Sequence, residues 1–387
     1  MVSYTYKFRI YPSEEQKQQL AKCFGIHRFV HNWFLERRNT LYRQNQQSST
    51  YYGDCAELTK LKKELPWMKE AYSQSLQQEL KDLDTAFHRF FRKLARFPRF
   101  RSRYRDKQSF RVPQNVSVEN KTLYVPKFKE GIKIRQHRKI EGEICYATLS
   151  RNKAGQYFVC ICVERNIKKL PENINKVGLD LGIKSLATTS DGHVYENIKP
   201  YRNLETRLKF LHKELSRKVK GSKNRDKARL VLARKYQKVA DIRNNHLHQM
   251  THSIINENQV VVIEDLNVKG MLRNPKLAKS IQDVSWSEIA RQLTYKAGWH
   301  GRTLVKVDRF YPSSKTCNEC GFINQNLTLE DREWFCPKCK VEHDRDYNAS
   351  VNILNEGSKT LGTRGIAYCP DVRPSIGNWL DRKPRRL

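Results

Sequence analysis

The stretch KVGLDLGIKSLATTSDG, Lys176 to Gly192, decides the fold. From Val177 to Ile183 it is apolar except for one acid, Asp180, placed between Gly178 and Gly182. A carboxylate in an apolar strand is costly unless a cation or hydrogen-bond donors meet it. Nothing positive lies inside the strand, so the partner must come from elsewhere in the chain. Residues 177–183, 185–190 and 193–197, with a turn at Asp191-Gly192, read as a three-stranded antiparallel meander that opens a domain.

Two more acids recur in settings that fit beside it. QVVVIEDLNVKGM, Gln259 to Met271, is too short and too β-branched for a core helix, so it reads as a buried parallel strand ending in Glu264. HDRDYNASVNIL, His343 to Leu354, reads as a short helix whose Ala349, Val351, Ile353 and Leu354 can face a sheet, with Asp346 in or just before its first turn. Asp180, Glu264 and Asp346 then occupy a central strand, the carboxyl end of its neighbour and a helix start, positions that converge at the edge of an RNase H-like sheet. Convergent carboxylates repel one another unless divalent cations sit among them. Mg²⁺ suits an all-oxygen set, and two such ions about 3.5–4 Å apart activate a water on one side of a phosphodiester and stabilise the departing 3′ oxygen on the other. Taken singly, Asp180 could be a hydrogen-bonded structural acid, Glu264 an exposed strand end and Asp346 a helix cap. Their order and matching local settings favour the joint catalytic reading. Asp265, Asp344 and Asp191 rank lower: Asp265 should face away from Glu264, and Asp191 fits a hairpin turn.

CNECGFINQNLTLEDREWFCPKC places Cys317 and Cys320, then Cys336 and Cys339, in two C-x-x-C knuckles fifteen residues apart. That spacing suits one tetrahedral Zn²⁺ in a four-cysteine ribbon. With every position filled by sulfur the ion is structural, folding a segment that lacks a core. His343 is a weaker alternative ligand. Cys160 and Cys162 sit in the apolar run YFVCICVE as core residues, and reduced thiols are expected throughout.

The chain has 387 residues, 74 Lys+Arg against 40 Asp+Glu, and a formal charge of +34 at pH 7, which points to a nucleic-acid partner. There is no long apolar run for a membrane and no secretory signal at the start, so a cytoplasmic, nucleoid-associated protein is expected. The segment RFFRKLARFPRFRSRYRDK, Arg89 to Lys107, holds nine Lys/Arg, one acid and five aromatics. Arg89, Arg92, Lys93, Arg96, Arg99, Arg101 and Arg103 are candidate phosphate contacts with stacking side chains interleaved.

Tyr4, Tyr6, Phe8 and Ile10 alternate as in a half-buried strand, Pro12 ends it, and Ser13 with Gln16 forms a capping box ahead of a helix running towards Leu35. A second helical block covers roughly 66–95. From Ser109 to Glu164 short strands, the last two joined across NKAG, could close a small barrel with the first strand. Further on, Leu204, Leu208, Leu211 and Leu215, and after the Gly221-Ser222 turn Leu232, Val239 and Ile242, mark a helical hairpin over 202–257; Lys223 and Arg225 on its basic side are further candidate nucleic-acid contacts.

Seven motifs in order, YKFRIYPSEEQ, FPRFRSR with SFRVP, GLDLGIKSLAT, VVVIEDLNVKGM, FYPSSKTCNECG, FCPKC and HDRDYNASVNIL, resemble the TnpB proteins of transposons, relatives of the type V CRISPR effectors. The resemblance runs from about residue 4 to 368, and Ser350 stands where many relatives carry alanine. It implies an α/β fold: a wedge β-barrel over 1–170 with a helical recognition lobe over about 13–108, a RuvC nuclease domain over 171–310 and 343–356, an inserted zinc ribbon over 311–342, and a flexible basic tail over 357–387. It also implies an RNA-guided DNA endonuclease, monomeric with a guide RNA from the transposon end, that cuts double-stranded DNA beside a short adjacent motif through Asp180, Glu264 and Asp346. Rival readings are a guide-loaded repressor that does not cut and an RNase H-like transposase that works without RNA.

Overall fold

The computed structural model describes residues 1–328 and 330–364. The chain divides into two units, Met1–Asn166 and a second beginning at Ile167.

The first unit starts with β1 (Val2–Tyr11), whose Tyr6, Phe8 and Ile10 are buried as the alternation requires. Ser13 and Gln16 exchange both bonds of the capping box and launch α1 (Glu14–Asn45). Helix α2 (Tyr51–Glu64) follows, then a single 3₁₀ turn (Pro66–Glu70) and α3 (Ser73–Phe91). The helical block expected over 66–95 is thus shorter: Lys93 takes a φ of 58° and the Leu94 N–H returns to the Arg89 carbonyl, closing the helix end. The first turns of α1, through Leu20, Cys23 and Phe24, pack on the sheet. Its later turns, through Val30, Phe34 and Leu35, form a second core with Leu58, Leu61, Leu76, Leu80 and Leu83 of α2 and α3. Asp54, fully buried, joins the three helices by accepting from Arg38 Nε at 2.6 Å while Arg38 Nη2 reaches Asp84 at 3.0 Å.

Strands β2 (Gln108–Val112), β3 (Ser117–Glu119), β4 (Thr122–Val125), β5 (Phe128–Arg135), β6 (Glu143–Arg151) and β7 (Tyr157–Arg165) complete an antiparallel sheet of order β2-β6-β7-β1-β5-β4-β3. The NKAG hairpin forms, with Gly155 at a φ of 76° and the Asn152 N–H bonded to the Gln156 carbonyl. Its hydrogen bonding is that of an open sheet with β2 and β3 at the edges. Cys162 is buried as expected. Cys160 is only half-buried, because strand alternation turns it away from the face on which Val159 and Ile161 enter the core.

The second unit opens with β8 (Lys176–Asp180), β9 (Ser185–Thr189) and β10 (Val194–Glu196), the antiparallel meander expected from sequence. Helices α4 (Pro200–Ser216) and α5 (Lys223–Glu257) form the hairpin, closed on Leu208, Leu211, Leu232 and Val239. Ile242 is not part of that seam: it is 38% exposed. Strand β11 (Val260–Glu264) lies parallel to both β8 and β12 (Thr303–Val307), giving the order β10-β9-β8-β11-β12. Short helices α6 (Val268–Met271) and α7 (Ala278–Val284) lead into α8 (Trp286–His300). Strands β13 (Glu333–Phe335) and β14 (Glu342–Asp344) form a small ribbon before α9 (Arg345–Arg364).

One face of the sheet, Val177, Leu179, Val261 and Ile263, packs on Leu247, Met250 and Ile254 of α5 and on Ile289 and Leu293 of α8. The other face takes α9. A Cβ at Gly178 would overlap the Ser350 carbonyl oxygen, and one at Gly357 would strike Val262, so both glycines are needed for this close approach. The same contact explains why α9 continues through 357–364, where a tail was expected; 365–387 lies outside the described residues.

Candidate metal centres

The register brings two of the acids side by side. Gly178 pairs with Val262 and Leu179 with Ile263 across parallel β8 and β11, so Asp180 and Glu264 end neighbouring strands at the same level. They share the face of Gly178 and Val262, which is the face covered by α9. Asp346 stands in the first turn of α9. Burial, together with the nearby charges of Glu264 and Asp346, raises the Asp180 carboxyl to about 8, against opposing pulls from Arg345 and Arg332. Glu264 is raised by burial too, opposed by the Ser313 hydroxyl, which donates to Glu264 Oε1 at 2.6 Å. Arg332 reaches Asp346 Oδ1 at 3.3 Å.

The lower-ranked acids have other work. Asp265 is partly exposed and paired with Arg309 at 2.6 Å. Asp191 accepts from Thr189 and the His193 N–H in its hairpin, and Asp344 accepts the Tyr347 N–H at 2.8 Å ahead of α9. A cavity of about 310 Å³ borders Glu264, walled by Leu181, Trp286, Arg291 and Lys306.

Three carboxylates converging on one sheet edge, with Asp180 raised by burial and by the charges of its two neighbours, form an oxygen donor set that fits Mg²⁺. Among the described residues the four cysteines form the one group of three or more metal-ligating side chains whose donor atoms all lie within 4.8 Å of one another.

Cys317 Sγ lies 3.6 Å from Cys339 Sγ, and Cys320 Sγ 3.5 Å from Cys336 Sγ. Sulfurs about 2.3 Å from a tetrahedral Zn²⁺ stand about 3.8 Å apart, so the set fits that ion. The knuckles are built alike. Gly321 and Lys340, at φ 72° and 65°, follow the second cysteine of each, and their N–H groups return to the Cys317 and Cys336 carbonyls at 3.0 and 2.9 Å. His343 is not a fifth member of the set but a neighbour to it: its Nε2 lies 3.1 Å from Cys317 Sγ and its ring packs on Trp334.

The basic candidates divide. Arg89, Arg92, Lys93 and Arg96 are exposed, beside exposed Phe91 and Phe97. Arg103 lies over exposed Tyr104, and Lys223 is exposed at the start of α5. Arg99 is tied to Asp106 at 2.6 Å. Two others serve the fold. Arg101 pairs at 2.7 Å with buried Glu79, which burial would raise but which the His31 hydrogen bond and the Arg101 charge hold at about 2. Asn32 also clamps the Arg101 backbone through both its N–H and its carbonyl. Arg225 donates to the Leu215 and Lys218 carbonyls at 2.8 and 2.6 Å, finishing the end of α4.

Sequence reasoning missed Ser313, Arg332 and two buried amides of α9, Asn348 and Asn352. The available signal was in HDRDYNASVNIL: two asparagines four apart share one helix face with Ala349 and Ile353 beside them, where an exposed helix would not need them.

Family models described as "Probable transposase", "Cas12f1-like, TNB domain" and "Helix-turn-helix domain" match residues 158–275, 286–353 and 1–47. In the structure, residues 1–47 hold a strand and one long helix. A Streptomyces pristinaespiralis protein named "Putative RNA-guided DNA endonuclease" is 41% identical over 361 residues, covering 92% of this chain and 90% of its own. An Escherichia coli K12 relative, "Putative RNA-guided DNA endonuclease InsQ", is 32% identical over 376 residues, 92% of each chain. A solved structure titled "Cryo-EM structure of the Cas12f1-sgRNA-target DNA complex" aligns over 92% of this chain and 99% of its own at 13% identity, with a TM-score of 0.37. The chain belongs to the TnpB family. Among the described residues no helix is long and apolar enough to cross a membrane.

Proposed function

We propose that this chain is an RNA-guided DNA endonuclease whose second unit is an RNase H-like nuclease domain of the RuvC type. The observation that carries the reading is the strand register that ends β8 at Asp180 and β11 at Glu264 side by side, on the face covered by the helix whose first turn holds Asp346. These three residues would hold two Mg²⁺ ions, which supply an activated water and stabilise the departing 3′ oxygen when bound. Glu264 is kept in place by the Ser313 hydroxyl, and Arg332 holds Asp346 from the ribbon side. Lys306, which lines the cavity beside Glu264, offers positive charge to a strand entering there, while Arg291 in the same wall is paired with Glu288 at 2.6 Å.

The zinc ribbon is structural, and the N-terminal sheet is a barrel-like wedge, since all seven strands turn apolar residues into one core. The exposed cations and aromatics of 89–104 track a nucleic-acid backbone. The guide is an RNA from the transposon end, the target is double-stranded DNA beside a short adjacent motif, and the complex is one chain with its RNA. A plasmid carrying the guide's target, incubated with the copurified protein–RNA complex and Mg²⁺, tests the reading. Wild type should linearise it and Glu264→Gln should bind it and leave it uncut, with a rate loss of roughly a thousandfold or more. Target binding without cleavage by wild type, or cleavage that needs no RNA, would reject the proposal.

A further inference from the structure

The three acids come from three separate segments, and something must set the distance between the last two. Glu264 ends β11 on a long, rotatable side chain. Its carboxylate is met by Ser313 Oγ, 2.6 Å from Oε1, on a residue that is 5% exposed. Ser313 belongs to no helix or strand, so its own position needs a cause.

That cause lies on α9. Asn352 Nδ2 donates to the Ser313 carbonyl at 2.8 Å and to the Thr316 carbonyl at 2.6 Å. One turn earlier, Asn348 Nδ2 donates to the same Thr316 carbonyl at 2.8 Å, and Asn348 Oδ1 accepts the Asn318 N–H at 3.0 Å. Both amides are buried, Asn352 at 3% and Asn348 at 0% exposure. Buried carboxamides that satisfy backbone groups on a loop fix that loop far better than apolar contact does, because the geometry is directional and an unmade bond there is costly. The helix that carries Asp346 therefore also holds the loop that holds Glu264, immediately before the first zinc knuckle.

Resting on the nuclease reading above, we infer that Ser313, Asn348 and Asn352 are positioning residues: a relay from α9 that sets Glu264 relative to Asp346 and leaves Glu264 Oε2 for a metal ion. Partners that orient a metal's ligands typically contribute tenfold to a hundredfold in metal affinity.

The test uses the full chain with its copurified RNA and Mn²⁺ as the probe, read by electron paramagnetic resonance in the absence of DNA. Ser313→Ala should weaken Mn²⁺ binding by about tenfold or more, with one zinc retained and the melting temperature unchanged, while Ser313→Thr restores wild-type affinity. In cleavage, Ser313→Ala should raise the half-maximal Mn²⁺ concentration by the same factor and recover its rate at saturating metal. Wild-type Mn²⁺ affinity in Ser313→Ala overturns the inference. In parallel, Asn352→Leu should speed hydrogen exchange of the 313–318 amides by roughly tenfold or more, and unchanged protection also overturns it. If wild type and Asp180→Ala bind Mn²⁺ equally, the nuclease reading has failed instead, and the exchange result alone judges the relay.

Discussion

Replacing Asp180 with asparagine keeps the size of the side chain and removes the charge that its surroundings resist. An unfolded carboxyl titrates near 3.8, whereas in the metal-free fold burial and the charges of Glu264 and Asp346 raise it to about 8. A raised carboxyl favours the fold fully below its unfolded value and loses that contribution as pH climbs towards the folded one, because only the unfolded chain can then release the proton freely. Between pH 4 and pH 7 the loss for this group is about 4 kcal/mol at most, taking 1.36 kcal/mol per pH unit. The substituted amide does not ionise and would carry no such penalty. Asp180→Asn should therefore melt higher than wild type in magnesium-free buffer, with a gap that is small near pH 4.5 and widens to several degrees, on the order of 10 °C at the limit, near pH 8. Mg²⁺ should close the gap by stabilising wild type alone, and the variant should not cut DNA. Differential scanning fluorimetry across pH, with and without Mg²⁺, measures the stability shifts, and plasmid cleavage reads the activity. A gap that stays flat from pH 5 to 8 would refute the claim that three carboxylates meet at this sheet edge.

Other outcomes follow from the packing. Gly178→Ala should destabilise the second unit by about 2 kcal/mol or more, since its methyl group overlaps the Ser350 carbonyl and must lift α9; chemical denaturation reads this. Cys317→Ser should lower zinc content well below one per chain and loosen the ribbon, shown by metal analysis and by faster exchange around Trp334. Arg101→Ala should cost roughly 2 kcal/mol in the same denaturation assay by leaving buried Glu79 short of a cation, less than the full cost of a broken buried pair because His31 remains. Arg96→Ala, which removes an exposed cation, should leave stability alone, weaken RNA retention and flatten its salt dependence in a filter-binding titration.

The features legible in sequence were those with short-range causes. Alternation in β1, the capping box at Ser13, the turn at Asp191-Gly192 and the knuckle spacing each depend on neighbours a few residues apart, and each appears as read. Helix α2 was missed because its Leu58 and Leu61 find their partners on α1 and α3, far away in the chain, and its buried Asp54 is placed by arginines of α1. Strand β12 was missed as well: Val305 and Val307 alternate with exposed Lys306, but over five residues that pattern is too short to stand out without the pairing with β11.

The same division runs through the site. Residue type and spacing alone determined that Asp180, Glu264, Asp346 and the four cysteines were the chemical groups to follow, because carboxylates in apolar strands and paired thiols have few other uses. Only the tertiary structure decided that Arg101 and Arg225 brace the fold, that His343 sits against a zinc ligand without joining the set, and that α9 continues past Gly357. Charge and identity are properties of a residue, but what a charge meets is set by strand register and helix approach across long stretches of chain, and local sequence carries no record of either.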